Sequence, residues 1–164
     1  MKLDKVLVPL DGSALAERAL PLALDLLADR PTARLLLLRA AEATTLPGTD
    51  PTDAQVRAVR EAEVYLDSVA ARLSGLGVKD VKTSVWYGPP APAIAEAAQI
   101  GKFDIIVMGT HGRSGLGRLV LGSVAESVLR GTRTPVLFVR DSAAPVETVG
   151  SAGGPASARR PSRV

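Results

Sequence analysis

The sequence of 164 residues contains no cysteine and only one histidine, His111. Without cysteine the chain cannot form a disulfide, a thiolate metal site or a cysteine nucleophile. A single histidine also excludes a metal centre built from several imidazoles of one chain. Aromatic residues make up only 3% of the sequence, which is too few for the stacking platforms of a single-strand nucleic-acid binder.

A large excess of charge of one sign is also missing. The formal net charge is +3 and the sequence pI is about 9.6. Three basic residues, Arg159, Arg160 and Arg163, lie close to the end of the chain, and no acidic residue follows Glu147. Because the remainder is close to neutral, the sequence predicts no basic face for nucleic acid and no nucleic-acid partner.

Long hydrophobic runs are absent as well. The first apolar run follows a charged start and is interrupted by Pro9 and Asp11. It is too short for the core of a signal peptide and far shorter than the ~20 apolar residues that a membrane helix needs. We therefore expect a cytoplasmic protein with no membrane partner.

The length suits one domain, or one domain with a tail. A hydrophobic fraction of 46% and a mean hydropathy of +0.19 exclude a wholly disordered protein. From Asp141 onward the composition changes to mainly Ala, Gly, Pro, Ser and Arg. The sequence thus predicts a folded domain over residues 1–140 and a disordered tail over residues 141–164.

Five short apolar segments predict β-strands. Several of them are continuously apolar rather than alternating, as in the four leucines from Leu35 to Leu38. Continuous apolar strands are typical of a parallel sheet that is covered on both faces. The segments are residues 5–10, 33–40, 81–87, 103–108 and 135–140.

The segments between these strands have helical patterns. Ser13 is the predicted N-cap of a first helix that runs to about Ala28, with a kink at Pro21. Asp50 is the predicted N-cap of the second helix, whose first turn contains Pro51. The apolar stripe of this second helix consists of Val56, Val59, Leu66, Val69 and Leu73.

Two more helices complete the pattern. The third is predicted to follow Pro92 and to end near Gly101, and the fourth to begin at Gly122 and Ser123 and to stop before Gly131. Strands and helices then alternate along the whole domain. This order predicts an α/β fold with a doubly wound parallel sheet of five strands and four main helices.

A glycine-rich loop joins the fourth strand to the fourth helix. Glycines recur from Gly109 to Gly117, and Gly122 and Ser123 follow. Glycine lets backbone N–H groups approach an anion, and a helix N-terminus adds unpaired N–H donors and the positive end of the helix dipole. The loop is therefore a candidate phosphate site.

Two common phosphate-binding loops do not fit this segment. Gly117 to Gly122 has Walker spacing, but Ser123 stands where the lysine should be, so P-loop hydrolysis is disfavoured. A dinucleotide fingerprint that starts at Gly115 would need glycine or alanine in place of Val120. That fingerprint also belongs after the first strand of a sheet, not the fourth.

Three motifs together resemble those of a known family. The spacing Gly109-x2-Gly112-x9-Gly122-Ser123 is similar to the Gly-x2-Gly-x9-Gly-Ser/Thr motif of ATP-binding universal stress proteins. The segments VPLDGS at residues 8–13 and DIIVMGTHGRSG at residues 104–115 also resemble that family. The resemblance covers about residues 4–140 and leaves the tail outside.

The resemblance implies a flavodoxin-like sheet of strand order 3-2-1-4-5 that binds ATP, with Mg²⁺, in the crevice between the first and fourth strands. It implies that Asp11 lies beside the adenosine, that the backbone near Ala40 contacts the adenine and that the glycine motif holds the phosphates. Arg39 departs from the pattern, since the family often has histidine there, and its effect on the nucleotide stays open. The implied ATP-binding residues are Pro9, Leu10, Asp11, Ala40, Met108, Gly109, Gly112, Arg113, Gly122, Ser123 and Val124.

Some of these residues also have a purely structural interpretation. Asp11 can simply begin a strand-to-helix turn, although the family pattern favours a role in the site. His111 has no second histidine and no acidic partner in the pattern, so we interpret it as a loop residue. Arg113 could pair with a phosphate and Ser114 could accept a phosphoryl group, but loop residues of these types are usually just solvated.

The function implied is that of a stress-response protein regulated by nucleotide. We predict no catalytic residue and no metal ligand, because no activated nucleophile, Walker lysine or carboxylate cluster accompanies the loop. A homodimer is expected through the last strand, Pro135 to Val139, together with an unidentified protein partner. The alternatives are a nucleotide-independent dimeric interaction module and a slow ATPase or autophosphorylating protein.

Overall fold

A computed structural model describes residues 3–28, 30–43, 48, 50–76, 78–110 and 121–140. Within them, five strands form one sheet: β1 (Lys5–Pro9), β2 (Arg34–Ala41), β3 (Val81–Tyr87), β4 (Ile105–Gly109) and β5 (Val136–Val139). The helices are α1 (Ala14–Glu17), α2 (Ala19–Leu27), α3 (Pro51–Gly75), α4 (Pro90–Ile100) and α5 (Ser123–Gly131). The predicted tail over 141–164 lies outside the described residues and stays a prediction.

The sheet is parallel throughout and has the order β3-β2-β1-β4-β5. The predicted fold class and strand order are therefore confirmed. Successive residues of β1 point to opposite faces, so Val6 and Val8 join a core with α2 and α3, while Leu7 joins a core with α4 and α5. Burial on both faces explains why the strand sequences do not alternate.

The predicted first helix is divided into two, α1 and α2, at Arg18. The kink was predicted at Pro21, three residues later. Pro21 has no N–H to donate to the carbonyl of Glu17, and a proline ring clashes with the carbonyl four residues before it. The break therefore falls one turn before the proline, where the chain must turn to relieve this clash.

Both predicted N-caps form as expected. The Ser13 hydroxyl accepts a hydrogen bond from the Ala16 N–H at 3.1 Å, and the Asp50 carboxylate accepts one from the Thr52 N–H at 2.7 Å. Pro51 occupies the first turn of α3. The sequence signals for the starts of α1 and α3 were thus read correctly.

Two expectations about the helices are wrong in detail. Val56 was placed in the buried stripe of α3, yet it is 57% exposed, because at 100° per residue it lies about 80° around the helix from Leu66. The inward positions in this half of α3 belong to Ala54 and Ala62. Helix α4 begins at Pro90 rather than after Pro92, since N–H groups of a first turn have no intrahelical acceptor and prolines are tolerated there.

No helix in the described part of the chain is long and apolar enough to cross a membrane.

Candidate functional site

A cleft of about 330 Å³ opens at the carboxyl end of the sheet. It lies where β1 and β4 are neighbours, with β2 and β3 on one side and β5 on the other. Because the direction of winding changes between β1 and β4, this is the position at which ligands bind in doubly wound sheets. The lining residues are Pro9, Leu10, Asp11, Ala16, Leu38, Arg39, Ala40, Ala41, Glu42, Ala58, Glu61, Pro90, Ile94, Met108, Gly109, Val124 and Ala125.

Most of the predicted site residues come together in this cleft. Those that line it are Pro9, Leu10, Asp11, Ala40, Met108, Gly109 and Val124. Gly122 and Ser123 do not line it directly, but they begin α5 next to Val124. Gly112 and Arg113, like His111 and Ser114, lie outside the described residues, so their predicted roles stay predictions.

Asp11 stands at the start of a tight turn between β1 and α1. One of its carboxylate oxygens, Oδ1, accepts a hydrogen bond from the Ser13 N–H at 2.8 Å. Gly12 between them has a φ of +87°, in the left-handed region that side-chain-bearing residues avoid. The structural interpretation of Asp11 is thus correct. It does not compete with a site role, because the exposed carboxylate also lines the cleft.

Gly109 is required by packing inside the protein. A Cβ atom on this residue would lie 2.8 Å from the Leu15 carbonyl oxygen. The one-turn helix α1 therefore packs directly on the end of β4, with no room for a side chain between them. The sequence predicted that this glycine lets a ligand approach the backbone. It gave no sign of the close contact between the backbones of Gly109 and Leu15.

The N-terminus of α5 differs from those of α1 and α3. Gly122 is its N-cap and has no side chain to accept a hydrogen bond, and no described side chain caps this end instead. The first N–H groups of α5 carry the positive end of the helix dipole. They have no side-chain oxygen as acceptor, whereas Ser13 supplies one to α1 and Asp50 supplies one to α3. An anion placed here would complete the cap.

The walls of the cleft are unlike one another. Ala40, Ile94 and Met108 provide apolar surface, and Ile94 and Met108 belong to the core beneath α4 and α5. Asp11, Glu42 and Glu61 place carboxylates around the opening. The cleft can thus hold a flat apolar ring on one side and hydrogen-bonding groups at its mouth.

Helices α3 and α4 contribute lining residues that sequence reasoning missed. They include Ala58 and Glu61 from α3, and Pro90 and Ile94 from α4. No motif marks these residues, because they reach the cleft through helix packing. Arg39 was noted only as a departure from the family pattern. In the structure it lines the cleft beside Ala40.

Arg39 contacts a small polar network on the α3 side of the sheet. Its guanidinium carbon lies 5.0 Å from the centre of the Tyr65 ring, a cation–π distance. The Tyr65 hydroxyl donates to Glu17 Oε1 at 2.9 Å, and Arg72 Nη2 donates to Glu17 Oε2 at 2.7 Å. Burial, and then the hydrogen bond to Glu17, raise the pKa of Tyr65 well above its usual range, so the hydroxyl remains a donor at physiological pH.

A larger cavity of about 560 Å³ lies at the opposite end of the sheet, between the last turns of α2 and α3. Two of its three charged lining groups, Arg30 and Asp80, are already paired inside the protein. Arg30 pairs with Asp4 at 3.6 Å, and Asp80 pairs with Arg34 at 3.2 Å. The cleft at the carboxyl end is therefore the stronger candidate, although it is smaller.

Comparison with known proteins assigns most of the chain to one family. The model of the universal stress protein family matches residues 2–140. A universal stress protein of Methanocaldococcus jannaschii is 32% identical over 139 residues, which are 83% of this chain and 81% of that protein. A universal stress protein of Mycobacterium tuberculosis is 36% identical over 142 residues, and this chain spans only 45% of its length.

Solved structures show the same likeness. A universal stress family protein from Burkholderia pseudomallei is 34% identical, with a TM-score of 0.66, over 83% of this chain and 95% of that one. The crystal structure of a universal stress protein in complex with cAMP is 27% identical, with a TM-score of 0.64, over 83% of this chain and 96% of that one. The similarity thus extends over the strands and helices that form the cleft.

Proposed function

The chain belongs to the universal stress protein family, and from this we propose that it is a cytoplasmic stress-response protein that binds ATP in the cleft between β1 and β4. Binding would use the loop with the spacing Gly-x2-Gly-x9-Gly-Ser and would control a regulatory homodimer. The observation that carries the proposal is the combination of this cleft with the uncapped N-terminus of α5 at its edge.

Different regions of the cleft suit the base, the ribose and the phosphates of an adenine nucleotide. Ala40, Ile94 and Met108 offer apolar surface for the base, and the Asp11 carboxylate can accept hydrogen bonds from ribose hydroxyls. The phosphates would lie towards Ser123 and the first N–H groups of α5. Support comes from the related protein whose crystal structure holds cAMP, another adenine nucleotide.

Magnesium would enter with the nucleotide. Among the described residues no cluster of three acidic or histidine side chains could hold a metal ion. Mg²⁺ commonly keeps several waters and binds through substrate phosphates rather than through a protein cage. The Mg²⁺ in this proposal is therefore a component of the bound ATP complex, and we assign it no protein ligand.

We propose a binding protein rather than an enzyme. The described lining of the cleft includes no lysine, so the Walker-type contact to the outer phosphates is not supplied by these residues. The Asp11 carboxylate lies in the turn between β1 and α1 and already accepts a hydrogen bond from the Ser13 N–H. Turnover near the uncatalysed rate would agree with this proposal. Turnover that falls at least tenfold in Asp11→Ala or Ser114→Ala would favour the alternative ATPase or autophosphorylating protein.

The central experiment is thermal unfolding with and without Mg-ATP in the wild type, Gly122→Asp and Gly122→Asn. Gly122 has ordinary extended angles, φ −60° and ψ 155°, so both substitutions suit the backbone and both residues are good N-caps. Saturation a hundredfold above Kd should stabilise the wild type by about 2.7 kcal/mol, which raises Tm by a few degrees. Gly122→Asp should lose this shift because its carboxylate repels phosphate, while neutral Gly122→Asn should keep part of it.

Two outcomes of this experiment would contradict the proposal. The first is no shift in wild type at millimolar ATP, after a check that no nucleotide copurified. It would favour the nucleotide-independent interaction module. The second is an equal shift in Gly122→Asp and wild type, which would place the phosphates away from α5.

The homodimer is proposed through β5. This strand is one edge of the sheet, and its four side chains, Val136–Val139, are only half-buried in a single chain. Apolar strand edges pair readily with another strand unless they are blocked. Light scattering should give twice the chain mass of 17.0 kDa, whereas a single species of 17.0 kDa at micromolar concentration would contradict the dimer.

A further inference from the structure

Arg39 lies where three separate parts of the molecule meet. It lies in β2 at the cleft, its guanidinium lies near the Tyr65 ring of α3, and the same guanidinium lies beside Gly12 in the turn after β1. A Cβ atom on Gly12 would be 3.6 Å from Arg39 Nη1 and 3.7 Å from both Cζ and Nη2. The guanidinium of Arg39 therefore borders the space beside Gly12 in this turn.

The side chain of Arg39 has little other use in the described structure. It forms no ion pair with a described carboxylate, although Asp11, Glu42 and Glu61 line the same cleft. Its guanidinium lies instead over an aromatic ring and beside the Gly12 turn, and a cation–π contact orients the guanidinium plane. A long cation fixed in this way can hold a turn in position without neutralising the nearby carboxylates.

Tyr65 is itself held in one orientation. Its hydroxyl donates to Glu17, whose other oxygen accepts from Arg72. Glu17 belongs to α1, which follows directly from the Asp11 turn, and Arg72 lies about two turns along α3 from Tyr65. The network thus ties α3 to α1 and places the ring where Arg39 rests on it.

We propose that Arg39 is a positioning residue: supported by Tyr65, it holds the turn of Asp11, Gly12 and Ser13 so that the Asp11 carboxylate faces the ligand. The proposal rests on the proposed function, because it assigns Asp11 to the nucleoside part of the nucleotide. It assigns this arginine a role that does not require a direct contact with a phosphate. In this proposal the packing of α3 also affects the ligand site, because Tyr65 of α3 supports Arg39.

The turn can be tested without any ligand. The Ser13 amide proton is hydrogen-bonded to Asp11 Oδ1 only while the turn is formed. Its rate of exchange with water, measured by NMR, therefore reports how often the turn opens. Exchange should quicken about fivefold in Arg39→Met and Tyr65→Leu, which remove the cation–π contact. It should quicken less in Tyr65→Phe, which keeps the ring but loses its hydrogen bond to Glu17, and should stay within twofold of wild type in Leu73→Ala, which weakens the core further along α3.

Calorimetry with ATP and with adenosine tests the consequence for binding. Arg39→Met should weaken both ligands by the same factor, about fivefold, because Asp11 serves the nucleoside that they share. Arg39→Lys, which keeps the charge, should recover part of the loss. A loss confined to ATP would overturn the positioning role and make Arg39 a direct phosphate ligand.

The two experiments separate this proposal from the proposed function. Unchanged Ser13 exchange in Arg39→Met would overturn the positioning role even if wild type binds ATP. If wild type binds neither ATP nor adenosine, the proposed function fails. The exchange rates alone then decide whether Arg39 holds the turn.

Discussion

The two ends of the sheet treat their charged groups differently. At the amino end, the Asp104 carboxylate accepts the N–H groups of Asp4 and Lys5, both at 2.8 Å, and Lys5 Nζ donates to the Gly101 carbonyl at 3.1 Å. At the carboxyl end, Asp11 caps only its own turn and Arg39 rests on a ring. Asp104 and Lys5 at the amino end thus join separate segments of the fold, whereas Asp11 at the carboxyl end bonds only within its own turn, as the proposed ligand role requires.

The largest effect expected at the amino end is that of Asp104→Ala. This change removes the acceptor of two backbone N–H groups in a partly buried position, so the free energy of unfolding should fall by about 3 kcal/mol. Urea unfolding measures it, and Asp80→Ala is the control, since its partner Arg34 is largely exposed and the loss should stay below about 1 kcal/mol. Because neither residue lines the cleft, the ATP affinity of both variants should equal that of the wild type. A changed affinity would contradict the contrast between the two ends of the sheet.

At the carboxyl end, Gly109→Ala should cost about 2 kcal/mol, because the new Cβ would press on the backbone of Leu15. The matched control is Gly75→Ala in the last turn of α3, where nothing lies within 4 Å of an added Cβ. That variant should gain about 0.5 kcal/mol from reduced backbone freedom. Equal effects in the two variants would mean that α1 does not pack on β4 as closely as described.

The smallest effect concerns Tyr65→Phe, which loses one hydrogen bond and should cost about 1 kcal/mol near neutral pH. Burial and Glu17 raise the pKa of Tyr65 in the folded state, so its contribution is complete below the unfolded-state pKa of about 10. That contribution is lost as pH rises further, because the unfolded chain releases the proton first.

Urea unfolding at about pH 8 and about pH 11 tests this sign. Wild type should lose more stability over that interval than Tyr65→Phe, since both proteins share every other titrating group. Parallel losses in the two proteins would show that the phenol does not hold its proton more tightly after folding. The charged network beside the cleft would then be weaker than its distances indicate.

The fold could be predicted largely because its signals are local. Ser13 and Asp50 cap helices through their own side chains, and the continuous apolar strands indicate a sheet covered on both faces. The break at Arg18 was displaced from its prediction because proline acts on the carbonyl one turn earlier. Val56 was wrongly assigned to the buried stripe because it was chosen as an apolar residue, without regard to its angular position around the helix relative to Leu66.

The candidate site could be predicted only where a motif marks it. Asp11, Met108 and Gly109 lie on the ends of strands that topology brings together, so their presence in one cleft followed from the fold. Glu61 and Tyr65 reach the same region by the packing of α3, which no spacing in the sequence expresses. Residues 111–120 of the glycine motif lie outside the described structure, and their roles stay predictions.

The central strand β1 also has a consequence for the kinetics of folding. It pairs on one side with β2, which follows closely in the chain, and on the other with β4, where Val6 meets Ile105. The second pairing closes a very long loop and is therefore the slower one to form. A molecule bound between β1 and β4 would join the two segments that meet last, so it should prolong the lifetime of the folded state more than it hastens folding.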